Sequence, residues 1–599
     1  MPHSSFMDSN DMVFQQAHDL PTKVRAGYEV SSRLIASLIN EGFLKASPCK
    51  CPILELSHGA SGIRVHGIAG HEQQELWVVT SKSHASGARL WHPADFVFPI
   101  WIRDEPSGWF QAHHPREIAV RAREMSLFGA AEIEGDWEVI LKQLDSAFSD
   151  MVTWLQWGEN RLIPTIESPI IEWEQAVVVG HPVNPIGRSI LAHHGAEYLE
   201  PSEAISLLHP GISLIAIDRS KTKITGPLCS ILNKLLSELQ LPPTQQNELT
   251  IPCLSRQLPA IQGFFPTARV LRRDAFFASA QTSLRTVQMP DHFDFDFHIK
   301  FALSYTIGSN LRTITPHTVG MSQELSNVIA DAVADDTWIC QEVAGVTGSQ
   351  KDAKIARHLS CMLRQNLEPR AKALGQTLIV VSALRQVPHH HFECIAALLF
   401  NLRTPDSKLA WFKQFSSKLL HAVLIPALRS GIGLEAHGQN TLIRVDIATR
   451  AIVGFCFRDF GSCKIHMPTL NRRGHYLDTM KPGCWIPADR EEEAWDQLQH
   501  TVFNEQLQSM IGHLKLNPVT AWTLVRDQLD DFFASNMEFE AASRMHAYFT
   551  RPMVSYKALL RLGFNLNATD DIFVEVPNAL HFEVVKCTGL DAARKFQLE

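Results

Sequence analysis

Cysteine is sparse and scattered in this chain. Of eleven cysteines in 599 residues only Cys49 and Cys51 lie close together, at a spacing unlike the CxxC pairs of structural zinc and redox motifs. That pattern argues against a zinc ribbon and offers no disulfide framework, so reduced thiols in a cytosolic, cytoplasmic setting are expected. Long apolar runs are missing too. The longest, 394–400 and 419–428, fall well short of the ~18 residues that span a bilayer. The opening Met1-Pro2-His3-Ser4-Ser5 lacks a basic region followed by an apolar core, so neither secretion nor membrane insertion is expected. There is also no basic excess: 55 Lys and Arg against 63 Asp and Glu give a net charge of -8. A general nucleic-acid or membrane-surface binder would show the reverse balance. Neither nucleic acid nor a membrane is therefore an expected partner, and an anionic substrate would need a local gathering of Arg and Lys. Repeats and low-complexity tracts are absent as well.

What is present is the composition of a globular protein, 45% hydrophobic and 20% charged. The length exceeds what one core fills, and at roughly 150 residues per domain three lobes are expected. They are placed at 1–150, 151–385 and 386–599. In the first, Leu34, Ile35, Leu38, Ile39 and Leu44 recur at helical spacing, predicting a helix over 31–46 that ends near Gly42. In the second, Ala176-Val177-Val178-Val179 reads as a strand running into the loop Gly180-His181-Pro182-Val183-Asn184-Pro185. Residues 213–217 and the alternating segment 293–307 add strands, giving a mainly β lobe, while 324–340 and 353–370 read as helical. In the third, a hairpin over 441–458 precedes a helical tail with helices at 521–534 and 555–562.

The chemistry concentrates at that hairpin. Its strands, Thr441 to Asp446 and Ile452 to Phe457, bring Glu435-Ala436-His437-Gly438-Gln439-Asn440 at one end beside Arg458-Asp459-Phe460-Gly461 at the other. An Asp at a strand end beside an Asn suits Mg²⁺, which prefers hard oxygen ligands and bridges phosphates. The plainer alternative is a turn-capping Asp459 paired with Arg458 and a core His437. The layout resembles that of a kinase-like phosphotransferase, but Gln439 stands where such enzymes place the Asp that accepts a hydroxyl proton. An amide cannot be that base. A carboxylate needs none, because it is already a nucleophile at neutral pH, so the pattern favours acyl adenylation. Upstream, Ser283, Arg285 and Thr286 share one loop, followed by Lys300 and Arg312. Together they suit a polyanion, Arg through its planar fork and Lys as a compact charge. A helix-capping Ser283 and solvated basic residues are the alternative.

Taken in order, Ser283-Leu284-Arg285-Thr286, Lys300, Arg312, Glu435-Ala436-His437-Gly438-Gln439-Asn440 and Arg458-Asp459-Phe460 resemble the IucA/IucC family of synthetases for NRPS-independent siderophores, over about residues 175–565. The resemblance implies an α/β (α+β) fold of three lobes in a cupped hand of thumb, fingers and kinase-like palm, often as a homodimer. It implies an ATP-dependent ligase that activates a carboxylate of citrate or a related polycarboxylic acid as acyl-AMP and condenses it with an amine or alcohol. By the same resemblance Ser283, Arg285, Thr286, Lys300, Arg312, His437, Gln439 and Asn440 bind ATP. Lys300, Arg312 and His437 are catalytic, His181, Arg188, Arg312 and His437 contact substrate, and Asp459 holds Mg²⁺. Two departures bear on specificity: Asn184 and Arg188 replace His and Lys in the 180–189 loop, and the His-Pro-Trp-Gln segment is reduced to Leu258-Pro259-Ala260-Ile261-Gln262. His389, His390 and His391 read as a loop, and Lys557 lies on a helix-like run whose face is either solvated or turned to the cleft. Two rival readings are a small-molecule phosphotransferase, with Asp446 the nearest base, and a homologue that binds ligand without turnover.

Overall fold

The computed structural model describes residues 20–50, 61–66, 75–80, 90–104, 108–126, 136–193, 195–481, 483–564 and 571–581. Cys51 and the opening Met1 to Ser5 lie outside them. The chain mixes helix and sheet and gathers around three large apolar cores. No helix among the described residues is long and apolar enough to cross a membrane.

The first core is built on a helix, Thr22–Asn40, packed against a second, Trp137–Glu159, and against a five-stranded antiparallel meander from Lys45–Lys50 to Gly108–Gln111. The helix begins earlier than the sequence suggests and stops at Asn40, because Gly42 turns into the left-handed region (φ 77°) and Lys45 already starts a strand. Late residues complete this core. Leu560 and Phe564 join it, Phe564 packs against Phe43 and Trp137, and the Glu41 carboxylate accepts the backbone N–H groups of Leu560 (2.9 Å) and Arg561 (2.8 Å).

The second core lies under a six-stranded antiparallel sheet in the order Ser279–Ala280, Thr286–Gln288, Phe297–Phe301, Cys361–Gln365, Glu342–Gly348 and Thr222–Thr225. Alternation along these strands sorts the side chains. Val287, Ile299, Leu363 and Ala344 face the core, whereas Thr286, His298, Lys300, Arg364 and Glu342 share the other face and are nonetheless buried. The helical reading of 353–370 is corrected here: short helical turns flank Cys361–Gln365, which is an inner strand of the sheet.

The third core wraps the long helix Pro405–Ser430 and a second sheet, ordered Trp338–Ile339, Ile452–Phe457, Thr441–Asp446 and Gln376–Val380. The hairpin expected from sequence is its centre, with Thr441 opposite Phe457. Two expectations fail nearby. Val177 to Val179 form no strand, because side chains satisfy their backbone: Arg188 donates to the carbonyls of Val177 and Val178, and the Gln386 Oε1 accepts from Val178 and Val179. Residues 555–562 are not one helix either, since Met553–Lys557 is a strand paired with Phe573–Pro577 and the helix Leu559–Phe564 follows it. The cores cross the points at 150 and 385 where the sequence was divided. The helix Pro316–Ala332 packs in the third core, and Leu560 and Phe564 in the first.

Candidate active site

The polar face of the six-stranded sheet meets the open end of the hairpin, and that junction collects most of the residues singled out from sequence. Lys300 forms an ion pair with Asp459 across it. Asp459 sits in the left-handed region (φ 67°), a conformation Asp tolerates better than bulkier residues and one that marks functional turns. Burial works to raise its carboxyl, but Lys300 and Arg285 overcome this and hold it well below the usual range. Arg312 is half-buried and donates to the Ile307 carbonyl (3.0 Å), within the fields of Arg285, Asp459 and Glu435. Burial, with Arg285 beside it, pulls its pKa down to about 10, so it remains a cation at neutral pH.

The Ser283 loop is a tight turn. Leu284 takes φ 62° and its N–H donates to the Gln281 carbonyl, the Ser283 Oγ accepts from the Thr286 N–H (3.2 Å), and Arg285 donates to the Thr313 carbonyl (2.8 Å). Thr286 lies opposite Lys300 in the sheet. The Nε groups of both Arg285 and Arg312 have no hydrogen-bond partner among the described residues. These are buried donors suited to an arriving anion.

The second loop is ordered by its own side chains. The His437 carbonyl accepts from Asn440 N (2.9 Å) and Thr441 Oγ1 (3.0 Å), and Asn440 Nδ2 donates to the Glu435 carbonyl (3.2 Å). His437 Nδ1 accepts from Gln439 N–H (3.2 Å), which assigns the ring proton to Nε2. Burial lowers its pKa to about 4, so at neutral pH it is an uncharged donor. Gly438 packs closely on Arg385, since a Cβ there would lie 3.0 Å from its guanidinium nitrogen, which would have to give by a few tenths of an ångström. Arg458 ties the two loops together. It donates to the Gln439 carbonyl (2.7 and 3.0 Å) and forms a buried, two-pronged pair with Glu174.

His181 borders the same cluster: its Nε2 lies 3.4 Å from the buried Glu505 carboxylate, while its Nδ1 accepts from Val183 and Asn184 N–H. Arg188 does not join it. Its guanidinium is turned into the loop's own backbone and stacks 3.9 Å over the Trp154 ring, so the expected substrate contact is replaced by a scaffold role. Lys557 sits on a strand instead of a solvated helix face and pairs with Asp571 at 2.7 Å, with Glu435 and Glu505 in its field. Asp446 is exposed at the turn end of the hairpin, five residues or about 17 Å along the strand from Thr441, too far to serve as a base here. His389, His390 and His391 lie in a turn, and among the described residues no three His, Cys, Asp or Glu could together hold a metal.

Sequence reading missed Glu174, Glu342, Arg385 and Glu505. Glu505 lies in a π-helical turn over Gln499–Leu507, a rare form that often marks functional segments, and its neighbour Gln506 donates to the Ala436 carbonyl. None carries a local motif. The nearest signal was the unusual density of polar residues in the stretch 497–508.

Against known proteins, residues 271–386 match the model of the IucA / IucC family and residues 409–572 match a model described as ferric iron reductase FhuF-like transporter. The NRPS-independent siderophore synthetase rfs of Rhizopus delemar is 30% identical over 438 residues, 70% of this chain and 68% of that protein. The NRPS-independent siderophore synthetase-like protein ankE of Aspergillus thermomutatus is 29% identical over 92% of each chain. The D-ornithine–citrate ligase of Staphylococcus aureus is 22% identical over 93% of each. Among solved structures, the petrobactin biosynthesis protein AsbB of Bacillus anthracis superposes with a TM-score of 0.73 at 15% identity, covering 94% of this chain and 97% of that one. ATP-bound aerobactin synthetase IucA of Klebsiella pneumoniae superposes at 0.69 and 16% identity, covering 92% and 99%. The fold is thus shared across its length, and the chain belongs to the IucA/IucC family of NRPS-independent siderophore synthetases.

Proposed function

We propose that the protein is an ATP-dependent ligase that adenylates a carboxylate of citrate, or of a related polycarboxylic acid, and condenses it with an amine or alcohol in siderophore or related secondary-metabolite biosynthesis. The observation that carries this reading is the Lys300–Asp459 pair, which joins the cationic face of the central sheet to the hairpin end bearing His437, Gln439 and Asn440. The likeness to two siderophore synthetases or synthetase-like proteins, to a citrate ligase and to an aerobactin synthetase solved with ATP bound supports it.

In this reading Ser283, Arg285, Thr286, Lys300, Arg312, Gln439 and Asn440 receive the nucleotide and the anionic acid. Arg285 and Arg312 present buried, unpaired donors, and fixed donors aimed at developing charge do not have to reorient during reaction. A substrate carboxylate oxygen forms a bond to the α-phosphorus as the bond to pyrophosphate breaks, and no protein base is needed. In the second half-reaction the acceptor attacks the acyl carbon, the bond to AMP breaks with its electron pair leaving on the phosphate oxygen, the acceptor's proton passes to solvent, and the His437 Nε2–H hydrogen-bonds the oxygen that gains charge. His181 borders the acid, and Arg188 holds its loop from behind. Mg²⁺ fits the site: the Asp459 carboxylate, held ionised by Lys300 and Arg285, would offer it a hard oxygen donor, and the bound ion would neutralise phosphate charge. The cupped-hand arrangement with a kinase-like palm, a homodimeric assembly and a reducing cytoplasmic setting belong to the same proposal. Eight cysteines from Cys229 to Cys484 are free thiols, which fits that setting.

With citrate, Mg²⁺, ATP and hydroxylamine, the purified protein is expected to yield a hydroxamate with AMP and pyrophosphate. Steady ADP release with a phosphorylated acceptor would overturn adenylation in favour of phosphotransfer.

A further inference from the structure

Sequence motifs nominate a single carboxylate for the metal, Asp459, but the topology delivers a second beside it. The strand Trp338–Ile339 runs parallel to Ile452–Phe457 with Ile339 opposite Phe457, and Cys340 N donates to the Phe457 carbonyl at 2.9 Å. Both chains leave that sheet at the same edge. Two residues beyond Phe457 stands Asp459, and three beyond Ile339 stands Glu342, the first residue of the next strand. Glu342 pairs with Arg364, and Arg364 with His298, so these three form a row across the central sheet on the face that also carries Lys300. Glu342 is 1% exposed, its Oε1 has no hydrogen-bond partner among the described residues, and it lies in the fields of both Lys300 and Asp459. An unpaired buried carboxylate oxygen is costly and calls for a missing partner. Lys300, the cation whose field acts on it most strongly, is already engaged by Asp459.

We propose that Glu342, together with Asp459, holds the divalent cation that accompanies the nucleotide, an inference that rests on the ATP reading above. Two carboxylates without a third protein ligand are the kind of set Mg²⁺ uses, since it completes its octahedron with phosphate oxygens and water. The metal should therefore bind appreciably only when nucleotide is present. Its arrival offsets both carboxylates and leaves the Lys300 charge available to the phosphates.

Mn²⁺ serves as the probe, followed through the loss of the free-ion paramagnetic resonance signal in the full-length protein, with and without α,β-methylene-ATP. The wild type is expected to take up Mn²⁺ strongly only with the analogue. Glu342→Gln and Asp459→Asn should each weaken that uptake by about tenfold or more, whereas Asp446→Asn, at the far end of the hairpin, should not. Glu342→Gln should melt no lower than wild type, because it removes a buried charge. If it fails to fold, Glu342→Asp, which draws the carboxylate back, should still weaken Mn²⁺ binding. Wild-type Mn²⁺ affinity in Glu342→Gln or Glu342→Asp, with loss in Asp459→Asn, would overturn the role of Glu342 alone. A wild-type protein that binds neither analogue nor Mn²⁺ would overturn the ATP reading itself.

Discussion

A single backbone N–H decides what His437 can do. Because Gln439 N–H occupies Nδ1, the neutral ring carries its proton on Nε2, 3.9 Å from the Glu435 carboxylate, and burial keeps it neutral well below physiological pH. In the proposed reaction Arg312 supplies the complementary cation. Replacing either by Ala should reduce kcat/KM by about 10²–10³-fold with the fold retained, read as pyrophosphate release. The burial of His437 also sets a pH dependence. Its folded pKa, about 4, lies below the ordinary value of 6.5, so the unfolded chain binds the extra proton between these limits and stability falls as pH drops from about 6.5. His437→Gln cannot take up that proton. Relative to this variant, the wild type should lose about 1 kcal/mol between pH 7 and pH 5.5, measured by urea unfolding.

At the scale of elements, the two loops of the site are held in register by Arg458, whose guanidinium spans the Gln439 carbonyl and Glu174. Removing one partner of a buried pair leaves a charge without compensation. Glu174→Gln should therefore cost about 3–5 kcal/mol in denaturant unfolding. The long helix Pro405–Ser430 makes a second case. It ends on Gly431 at φ 68°, where an added Cβ would stand 3.0 Å from Thr469 and 3.1 Å from His466. Gly431→Ala should lower stability by about 1 kcal/mol or more through that strained backbone and contact. Elements were legible where the pattern had one reading. The hairpin showed two alternating β-rich runs around a short turn, and its register placed His437 and Asp459 together. Val177 to Val179 looked equally strand-like but found side-chain partners in place of a ladder, which no local rule reveals. Residues 555–562 fitted a helical spacing over a stretch that splits into strand and helix.

At the scale of the whole molecule, what the sequence hid was which distant residues meet. Ser283, Arg285, Lys300, Arg312, His437 and Asp459 sit in motifs, so their convergence was open to inference. Glu174, Glu342 and Glu505 are isolated acids whose importance comes from topology alone. Arg188 shows the converse, since its place in a motif-like loop concealed its use as a scaffold. The same long-range closure governs stability. Leu560 is fully buried in the first core, so Leu560→Ala should cost about 2–5 kcal/mol and expose the helix Thr22–Asn40 to limited proteolysis, read by mass spectrometry of the fragments.

The return of Leu560 to Glu41 spans 519 residues. At a ribosomal pace of roughly 5–20 residues per second, the helix Thr22–Asn40 waits about half a minute to two minutes before Leu560 is made. The first core must spend that interval with part of its greasy interior uncovered, in the keeping of whatever holdases attend nascent chains, and only the emergence of Leu560 lets it shut.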